Sequence, residues 1–380
     1  MLVDKKIQMV DLKGQYEKIK QEIDAGIQHV LDSTAFINGP AVKEFQKSLE
    51  MYLDVKHVIP CANGTDALQI AMMALGLKAK DEVITASFTY VATAEVIALL
   101  GLTPVLVDVN PDTFDIDIDA IEKNIGPKTR AIVPVHLFGQ CANMEKIMAL
   151  AKKHGLYVIE DVAQAIGADY TFSNGKVAKA GTMGHIGCTS FFPSKNLGAY
   201  GDGGAMYTND DELAKKLRMV AHHGQSVQYH HDVVGVNSRL DTIQAVILQA
   251  KLKHLDTYAK ARNAAAAHYD KALGNHPKIK IPVRAKNSTH VFHQYTMQLT
   301  GVDRAALREQ LAAKGIPSMV YYPIPLHMQK AFASDRYKAG DFPVTEKLCA
   351  SVLSLPMHTE LDAETLQYIT DTFLEIINKQ

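Results

Sequence analysis

The stretch Ala131-Ile-Val-Pro-Val135 is a short β-branched run, and a second run, Leu156-Tyr-Val-Ile-Glu-Asp161, follows it after helical spacing around Met144 to Lys153. Strand, helix and strand in this order are typical of a βαβ unit, whose two strands lie parallel in one sheet. The same alternation extends toward the N-terminus, where it predicts strands at 57–60, 82–85 and 103–109, helices at 65–75 and 91–100, and a helix start at 117–122. The sequence therefore predicts an α/β fold with a mostly parallel central sheet flanked by helices.

The rest of the chain predicts two N-terminal helices and a mixed region near the C-terminus. Apolar residues at helical spacing run from Tyr16 to Leu31 and from Val42 to Leu53, with the turn Asn38-Gly39-Pro40 between them. Further along, the patterns predict strands at 206–208, 293–299 and 318–321, helices at 210–222, 304–314 and 362–378, and one long helix at 240–273. A chain of 380 residues exceeds the usual size of a single core. We expect a large domain at 1–254, which includes the N-terminal helix, and a smaller C-terminal αβ domain at 255–380.

The composition is that of an ordinary globular protein, with 47% hydrophobic and 21% charged residues. The net charge of −1 offers no basic field to nucleic acid or to an anionic membrane surface. Cys61, Cys141, Cys188 and Cys349 are widely spaced and form no C-x-x-C pair, which disfavours a disulfide framework or a structural zinc site. No signal peptide is visible, and charges and a proline interrupt the most apolar region, 91–109. We expect a cytoplasmic protein without nucleic acid or membrane partners.

A single lysine lies in an unusual setting, in the stretch Ser190-Phe-Phe-Pro-Ser-Lys195-Asn-Leu-Gly-Ala-Tyr-Gly-Asp-Gly-Gly204. Most lysines are exposed and Gly-Asp-Gly-Gly can form a hairpin turn, so a plain surface loop is one interpretation. The other is a lysine beside a bulky ligand, with glycines that let the backbone approach closely. A lysine kept partly out of water titrates at lower pH and can form a Schiff base. If the ligand is a pyridoxal cofactor, a carboxylate and a phosphate site must lie elsewhere in the chain.

The carboxyl ends of predicted strands supply candidates for both. Asp161 ends a buried strand, where open α/β sheets bind ligands, and it either keeps a pyridinium nitrogen protonated or caps a following helix. Gln164 either caps the same helix or contacts the phenolic oxygen of the ring. Asn63-Gly64-Thr65-Asp66 opens a helix after a strand, so its N–H groups suit a phosphate, to which Ser190 can add a hydroxyl. Tyr90 follows another strand end and either stacks on a flat ring or packs in the core.

Other patterns give little support to a different chemistry. The pairs His222-His223 and His230-His231 lack a carboxylate or thiol at ligand spacing, so no metal site is expected. Gly201-Asp-Gly-Gly204 does not match G-x-G-x-x-G, which disfavours a nicotinamide site. The sequence also contains neither a G-x-S-x-G motif nor a P-loop.

Five motifs together resemble those of one enzyme family. In chain order they are Asn63-Gly-Thr-Asp-Ala-Leu68, Phe88-Thr-Tyr-Val-Ala-Thr-Ala94, Glu160-Asp-Val-Ala-Gln-Ala165, Ser190-Phe-Phe-Pro-Ser-Lys-Asn-Leu-Gly198 and Gly235-Val-Asn-Ser-Arg-Leu-Asp241. The chain resembles, over nearly its whole length, the nucleotide-sugar aminotransferases of the DegT/DnrJ/EryC1/StrS family, which are vitamin B6 enzymes of the aspartate aminotransferase fold. The resemblance implies a pyridoxal phosphate-dependent transferase of fold type I. It also implies a homodimer in which each active site is shared across the interface.

The resemblance further implies a role for individual residues. Lys195 would form the Schiff base with pyridoxal 5′-phosphate and carry protons during amino transfer, while Asp161 would pair with the ring nitrogen. The other implied cofactor contacts are Gly64, Thr65 and Ser190 at the phosphate, Tyr90 stacked on the ring, Gln164 at the phenolic oxygen, and Asn237 at the phosphate of the neighbouring subunit's cofactor. Relatives often carry serine where this chain has Asn63, a modest departure that backbone N–H groups tolerate. Tyr90 lies within the family pattern, although phenylalanine or tryptophan is frequent there.

The substrate is indicated by three stretches, Tyr229-His-His231, 234–239 and Tyr322-Pro-Ile-Pro-Leu326, which look most similar to aminotransferases that act on UDP-2-acetamido-2-deoxy-3-oxo-D-glucuronate. This similarity implies L-glutamate as the amino donor and a role in surface polysaccharide biosynthesis, such as that of lipopolysaccharide O-antigen. The implied substrate contacts are Phe36, Arg239, Tyr321 and Tyr322. The alternative substrate is a 4-keto or 3-keto deoxysugar linked to UDP or dTDP.

Two other classes occur with a related fold or cofactor. A sugar dehydratase carries histidine in place of the Schiff-base lysine, so Lys195 disfavours it. A non-enzymatic pyridoxal phosphate-binding regulator requires an added DNA-binding domain with a basic face, for which this chain offers neither length nor charge.

Overall fold

The computed structural model describes residues 7–380 of the chain. Its strands are β1 (His57–Cys61), β2 (Glu82–Ala86), β3 (Thr103–Val107), β4 (Thr129–Val133), β5 (Tyr157–Asp161), β6 (Asp169–Thr171), β7 (Val177–Lys179), β8 (Ile186–Ser190), β9 (Gly204–Thr208), β10 (Gln225–Val227), β11 (His230–His231), β12 (Ile279–Lys280), β13 (Tyr295–Leu299) and β14 (Val352–Leu355). Its α-helices are α1 (Leu12–Ser33), α2 (Pro40–Leu53), α3 (Gly64–Ala74), α4 (Ala92–Leu99), α5 (Ile118–Asn124), α6 (Met144–His154), α7 (Asp211–Ala221), α8 (Thr242–Leu252), α9 (Leu255–Leu273), α10 (Arg304–Ala313), α11 (Pro343–Ser351) and α12 (Ala363–Ile377). Across this described part, no helix is both long and apolar enough to cross a bilayer.

The central sheet has seven strands in the order β1-β9-β8-β5-β4-β2-β3. Neighbours from β8 through β3 pair in parallel, while β9 is antiparallel to both β8 and β1. This confirms the predicted α/β fold with a mostly parallel sheet. Because the carboxyl ends of parallel strands meet at one edge, Cys61, Ala86, Asp161 and Ser190 all end strands at the same edge of the sheet.

Helices cover both faces of this sheet, as the alternation of side chains along β4 shows. Ile132 belongs to the apolar layer packed against α2, α6 and α8, whereas Ala131 and Val133 belong to the layer packed against α3, α4 and α7. Both faces are therefore buried, which explains why the strands read as continuous apolar runs rather than as alternating ones.

The C-terminal region has a smaller sheet and a core of its own. Strands β12, β13 and β14 form an antiparallel sheet, and α9, α10 and α12 pack with it around Tyr269, Tyr295 and Phe373. The separate core supports a second domain at 255–380, although the boundary at residue 254 stays a prediction. The N-terminal segment contacts this region too, because the N–H of Met357 donates to the carbonyl of Met9 at 3.2 Å.

Two predicted elements differ from the structure. The single helix predicted at 240–273 is wrong, because α8 ends at Leu252 and α9 begins at Leu255. The strand predicted at 318–321 is also wrong, because only Met319 forms a bridge, to Ser354. The prolines at 317 and 323 on either side have no backbone N–H and cannot extend the pairing. Strands β6, β7, β8, β10, β11, β12 and β14 and helix α11 were not predicted. The other predicted strands and helices are confirmed to within a few residues.

Candidate active site

A cavity of about 830 Å³ opens at the edge of the sheet where the parallel strands end. Loops after β1, β2, β4, β5 and β8 form one side of it, and segments 293–294 and 319–322 form the other. Among the residues singled out from the sequence, those that line it are Asn63, Gly64, Thr65, Tyr90, Asp161, Gln164, Ser190, Lys195, Tyr321 and Tyr322. Phe36, Asn237 and Arg239 lie outside its lining.

Lys195 lies in the loop that joins β8 to β9, half-buried in the cavity wall. Its backbone N–H donates to the carbonyl of Phe192 at 2.8 Å, and the N–H of Ala199 donates to the carbonyl of Phe191 at 2.7 Å. Burial lowers the pKa of Lys195 to about 8, and the negative charge of Asp161 acts against this shift. The interpretation of the stretch as a plain surface loop is therefore wrong, because the amine faces a cavity and titrates far below an exposed lysine.

Two glycines bring the first turn of α3 against the end of β8. A Cβ on Gly64 would lie 2.6 Å from the Cβ of Ser190, and a Cβ on Gly204 would lie 2.4 Å from the carbonyl oxygen of Asn63. Neither gap admits a side chain. The glycine of the lysine stretch at 204 thus serves close packing between protein segments, and this packing places Ser190 beside the start of α3.

The first turn of α3 is an anion-binding arrangement. Oδ1 of Asn63 caps the helix by accepting from the N–H of Asp66 at 2.8 Å. The N–H groups of Gly64 and Thr65 have no intrahelical acceptor, as in any first turn, and they lie in the cavity lining together with the Ser190 hydroxyl. A phosphate fits such a helix N-terminus.

Asp161 is 7% exposed, and each oxygen of its carboxylate accepts one hydrogen bond from the protein. Oδ1 accepts from the N–H of Ala163 at 3.1 Å and Oδ2 from the hydroxyl of Thr93 at 2.8 Å. Residues 163–167 form turns, so the alternative of a helix N-cap is wrong. A carboxylate has about four lone-pair sites, so Asp161 retains acceptor capacity toward the cavity.

Gln164 and Tyr90 are positioned for contact with a ligand. Oε1 of Gln164 accepts from the N–H of Phe138 at 2.7 Å, and Nε2 donates to the hydroxyl of Tyr322 at 3.1 Å, which leaves a second N–H hydrogen. Because no helix begins after Asp161, the capping role for Gln164 is also wrong. The Tyr90 side chain is 57% exposed beside the cavity, so its alternative role in the core is wrong as well.

Two groups of the cavity and one neighbour of Asp161 escaped the sequence analysis. His293 is 5% exposed, and its Nδ1 has no hydrogen-bond partner within residues 7–380; the same holds for Oγ1 of the buried Thr89. Both residues line the cavity. Burial, the charge of Lys195 and the charge of Arg262 hold the pKa of His293 well below its usual value, so the ring is neutral. Thr93 lies outside the cavity lining, and its hydroxyl donates to Asp161, which is part of that lining. No sequence signal reveals that these three side chains are buried at the site.

The wall composition fits a polar, phosphorylated ring compound such as pyridoxal phosphate. The free N–H groups at the start of α3 and the lone pairs that Asp161 keeps open toward the cavity are the donors and acceptors that such a ligand would satisfy. Lys195, Asp161 and the first turn of α3 then match the aldehyde, the ring nitrogen and the phosphate of that cofactor. No group of three or more metal-ligating side chains occurs in the described chain.

The fold and this cavity define an aminotransferase of the class that binds its cofactor through a lysine. The model of the DegT/DnrJ/EryC1/StrS aminotransferase family matches residues 17–374. The chain belongs to this family, which confirms the resemblance seen in its motifs. The structure of ntda from Bacillus subtilis, described with bound cofactor pmp, superposes with a TM-score of 0.88 at 34% identity and covers 96% of this chain and 82% of that one.

Curated relatives match the chain over almost its full length. The UDP-2-acetamido-2-deoxy-3-oxo-D-glucuronate aminotransferase of Pseudomonas aeruginosa is 48% identical over 363 residues, covering 96% of this chain and 98% of that protein. A protein of Geobacillus stearothermophilus named pleiotropic regulatory protein is also 48% identical, over 375 residues, covering 97% and 98%.

Proposed function

We propose that this chain transfers an amino group from L-glutamate to UDP-2-acetamido-2-deoxy-3-oxo-D-glucuronate with pyridoxal 5′-phosphate as its cofactor. The observation that carries the proposal is the presence of Lys195, Asp161 and the N-terminus of α3 in one cavity. The substrate is supported by the name of the Pseudomonas aeruginosa relative, which is 48% identical over 96% of this chain.

The cofactor supplies an electron sink for the carbon that loses its proton during amino transfer. Lys195 holds the cofactor covalently at rest, Asp161 keeps its ring nitrogen protonated, and Tyr90 covers its ring. Gly64, Thr65 and Ser190 bind the phosphate, and Gln164 donates to the phenolic oxygen. The hydrogen bonds that fix Asp161 and Gln164 support these roles, because they orient both side chains before any ligand arrives.

Proton movement is assigned to Nζ of Lys195. With the cofactor bound, Nζ would take the α-proton of glutamate and pass it to the cofactor, and in the second half of the reaction it would take that proton back and deliver it to C3 of the sugar. A lysine of ordinary pKa would stay protonated at neutral pH. The pKa of about 8 makes the neutral, proton-accepting amine available at little cost.

The charges of the cavity support a homodimer with shared active sites. The lining from one chain contains the carboxylates of Asp66, Asp161 and Asp202, and Lys195 is its single lysine or arginine. The proposed substrate brings a diphosphate and a carboxylate, so further donors must come from outside this lining. Asn237 and Arg239 lie outside it and follow a hairpin with exposed apolar side chains, Tyr229 at 82% and Val234 at 85%. We assign Asn237 and Arg239 to the site of a second copy.

Three assignments complete the proposal. Tyr321 and Tyr322 contact the sugar in the chain's own cavity, where both residues lie. Phe36, which is 43% exposed, contacts the substrate near the cavity mouth. The cytoplasmic location and the role in surface polysaccharide biosynthesis, including that of lipopolysaccharide O-antigen, stay predictions from the resemblance.

A panel of keto sugars tests the proposal. Purified protein with pyridoxal phosphate and L-glutamate receives the 3-oxo uronate, its analogue with a hydroxymethyl group in place of the carboxylate, or a dTDP-linked 4-keto deoxysugar. Mass spectrometry of the amino sugar and an assay of 2-oxoglutarate measure the transfer. We expect the highest kcat/KM with the 3-oxo uronate and no transfer by Lys195→Ala. Preference for either other sugar contradicts the substrate, and absence of transfer to all three would favour a regulatory role like that named for the Geobacillus relative.

A further inference from the structure

The buried Thr93 makes a hydrogen bond for which the sequence analysis predicted no function. Its hydroxyl donates to Oδ2 of Asp161 at 2.8 Å, and the side chain is 1% exposed. The bond to the other carboxylate oxygen comes from the backbone N–H of Ala163, which any residue except proline would supply. Thr93 therefore provides the part of the Asp161 environment that depends on side-chain identity.

Thr93 also lies one helical turn after Tyr90. The helical conformation begins at Val91, whose carbonyl accepts from the N–H groups of Ala94 at 3.1 Å and Glu95 at 2.9 Å. Tyr90 directly precedes this turn, so the turn connects Tyr90 to Thr93 along the chain. The Thr93 hydroxyl in turn joins the start of α4 to Asp161 at the end of β5.

Burial makes this connection rigid. Thr93, Ala94, Val96 and Ile97 are buried, and the last two pack in the apolar layer between α4 and the central sheet. The turn cannot shift toward or away from Asp161 without disturbing that layer. The packed turn and the Thr93 hydroxyl together therefore hold the backbone next to Tyr90 at a set position relative to the Asp161 carboxylate.

We propose that Thr93 is a positioning residue that holds the carboxylate of Asp161 in a set place relative to Tyr90, so that a pyridine ring stacked on Tyr90 meets the carboxylate at its nitrogen. The inference rests on the proposed function, in which Asp161 pairs with the ring nitrogen. A carboxylate fixed at that nitrogen keeps the pyridine ring protonated, which is the state that accepts electrons.

Pyridoxamine phosphate labelled with ¹⁵N in its ring tests this role without turnover. The full-length chain, freed of cofactor, is loaded with the labelled compound, and the ¹⁵N chemical shift reports the protonation of the ring nitrogen. Thr93→Val keeps the branched shape and removes the donor, whereas Thr93→Ser keeps the donor. We expect the wild type and Thr93→Ser to hold a protonated nitrogen. Thr93→Val should shift it toward the unprotonated value and bind the compound about tenfold more weakly, the effect of one buried hydrogen bond to a charged group.

Several outcomes overturn the proposal. An unchanged ¹⁵N shift in Thr93→Val does so, as does a loss in Thr93→Ser equal to that in Thr93→Val, because retaining the hydroxyl would then rescue nothing. Thermal unfolding checks that each variant folds, and Thr93→Ala replaces Thr93→Val if the latter folds poorly. Asp161→Asn distinguishes a failure of the proposed function from a failure of this inference. If Asp161→Asn leaves the ¹⁵N shift unchanged, Asp161 does not pair with the ring nitrogen and the proposed function is contradicted at that point. If Asp161→Asn moves the ¹⁵N shift and Thr93→Val does not, only the positioning role of Thr93 is excluded.

Discussion

Nε2 of His136 lies 2.8 Å from Oε2 of Glu160, and both side chains are fully buried next to Asp161. Nδ1 of His136 accepts from the N–H of Ala142 at 3.1 Å, so the ring proton lies on Nε2 and is donated to the carboxylate. The backbone N–H of His136 donates to the carbonyl of Asp161 at 3.0 Å. The pair therefore anchors the strand end that carries Asp161.

Removing the charge of Glu160 should destabilise the fold strongly. Its carboxylate also accepts from the backbone N–H groups of Gly181 and Met183, each at 2.8 Å, so Glu160→Gln leaves buried donors unpaired. We expect Glu160→Gln to lower the free energy of unfolding by about 3–5 kcal/mol. Urea unfolding measures the change. Glu122→Gln, which breaks a surface pair with Lys153, is the control and should change little. Equal effects of the two variants would contradict the structural role of the pair.

Covalent capture of pyridoxal phosphate should follow the titration of Lys195. The neutral amine is the nucleophile, and burial lowers the pKa of Lys195 from 10.5 to about 8. In cofactor-free protein we expect the rate of growth of the visible adduct band to rise through about pH 8 and to level off above it. Stopped-flow absorbance gives the profile, and Lys195→Ala should show no band. A midpoint near 10.5 would mean that the amine is hydrated rather than buried.

A second buried lysine should make stability depend on alkaline pH. Nζ of Lys251 donates to the carbonyl of Gly198 at 2.7 Å, and burial lowers the pKa of Lys251 to about 8. Between pH 8 and its unfolded pKa of 10.5, the unfolded chain binds a proton at this lysine that the folded chain lacks, so the contribution of Lys251 to the free energy of unfolding rises with pH. The four buried cysteines contribute in the opposite direction, because burial raises the pKa of their thiols. We therefore expect the free energy of unfolding of the wild type, taken relative to that of Lys251→Met, to rise with pH across this window. Unfolding curves of both proteins at several pH values measure the difference. A pH-dependent difference of the same size for Lys47→Met, a change at an exposed lysine, would sink the explanation.

His293 should lower the stability of the cofactor-free protein and at the same time contribute to amino transfer. Its unpartnered Nδ1 is buried, and an unsatisfied buried polar group costs about 1–3 kcal/mol. We expect His293→Leu to raise the free energy of unfolding of the cofactor-free protein by about 1 kcal/mol and to lower kcat for amino transfer at least tenfold. Denaturant unfolding and steady-state kinetics measure the two effects. Thr89→Val is the matched variant at the other unpartnered atom. Loss of stability with full activity would show that the ring of His293 is a packing element only.

Shared active sites should allow two inactive variants to complement each other. Lys195→Ala removes the covalent lysine, and Arg239→Ala removes a side chain that we assign to the site of the second copy. Each variant alone should be inactive, whereas subunits mixed in equal amounts should recover about a quarter of wild-type activity, because half of the dimers are hybrids with one intact site. Native mass spectrometry verifies that hybrids form. Hybrids without activity would place Arg239 in the same site as its own Lys195.

The sequence predicted the sheet and the ends of its strands because parallel strands buried on both faces leave a strong local pattern. Asp161 was found for the same reason, since strand ends are where such sheets bind ligands. Lys195 was found from the glycines and aromatic residues around it. The break between α8 and α9 left no trace, because neither glycine nor proline marks Lys253. The prediction at 318–321 failed because pairing partners decide whether an apolar run becomes a strand.

The unpredicted site groups have a common cause. Thr93 and His293 acquire their roles through neighbours far away in the chain: Asp161 for the first, and the charges of Lys195 and Arg262 for the second. A threonine inside a helix and a histidine before a strand look ordinary in the sequence. Only the tertiary structure shows that one has a carboxylate as its partner and the other has none.

The surplus of carboxylates in the cavity has a consequence for the life of a newly made subunit. Three aspartates and one lysine repel a nucleotide sugar that carries several negative charges of its own. A single subunit without its partner would therefore bind the nucleotide sugar only weakly. If the site is shared between two subunits as proposed, catalysis would therefore begin only after two subunits have assembled.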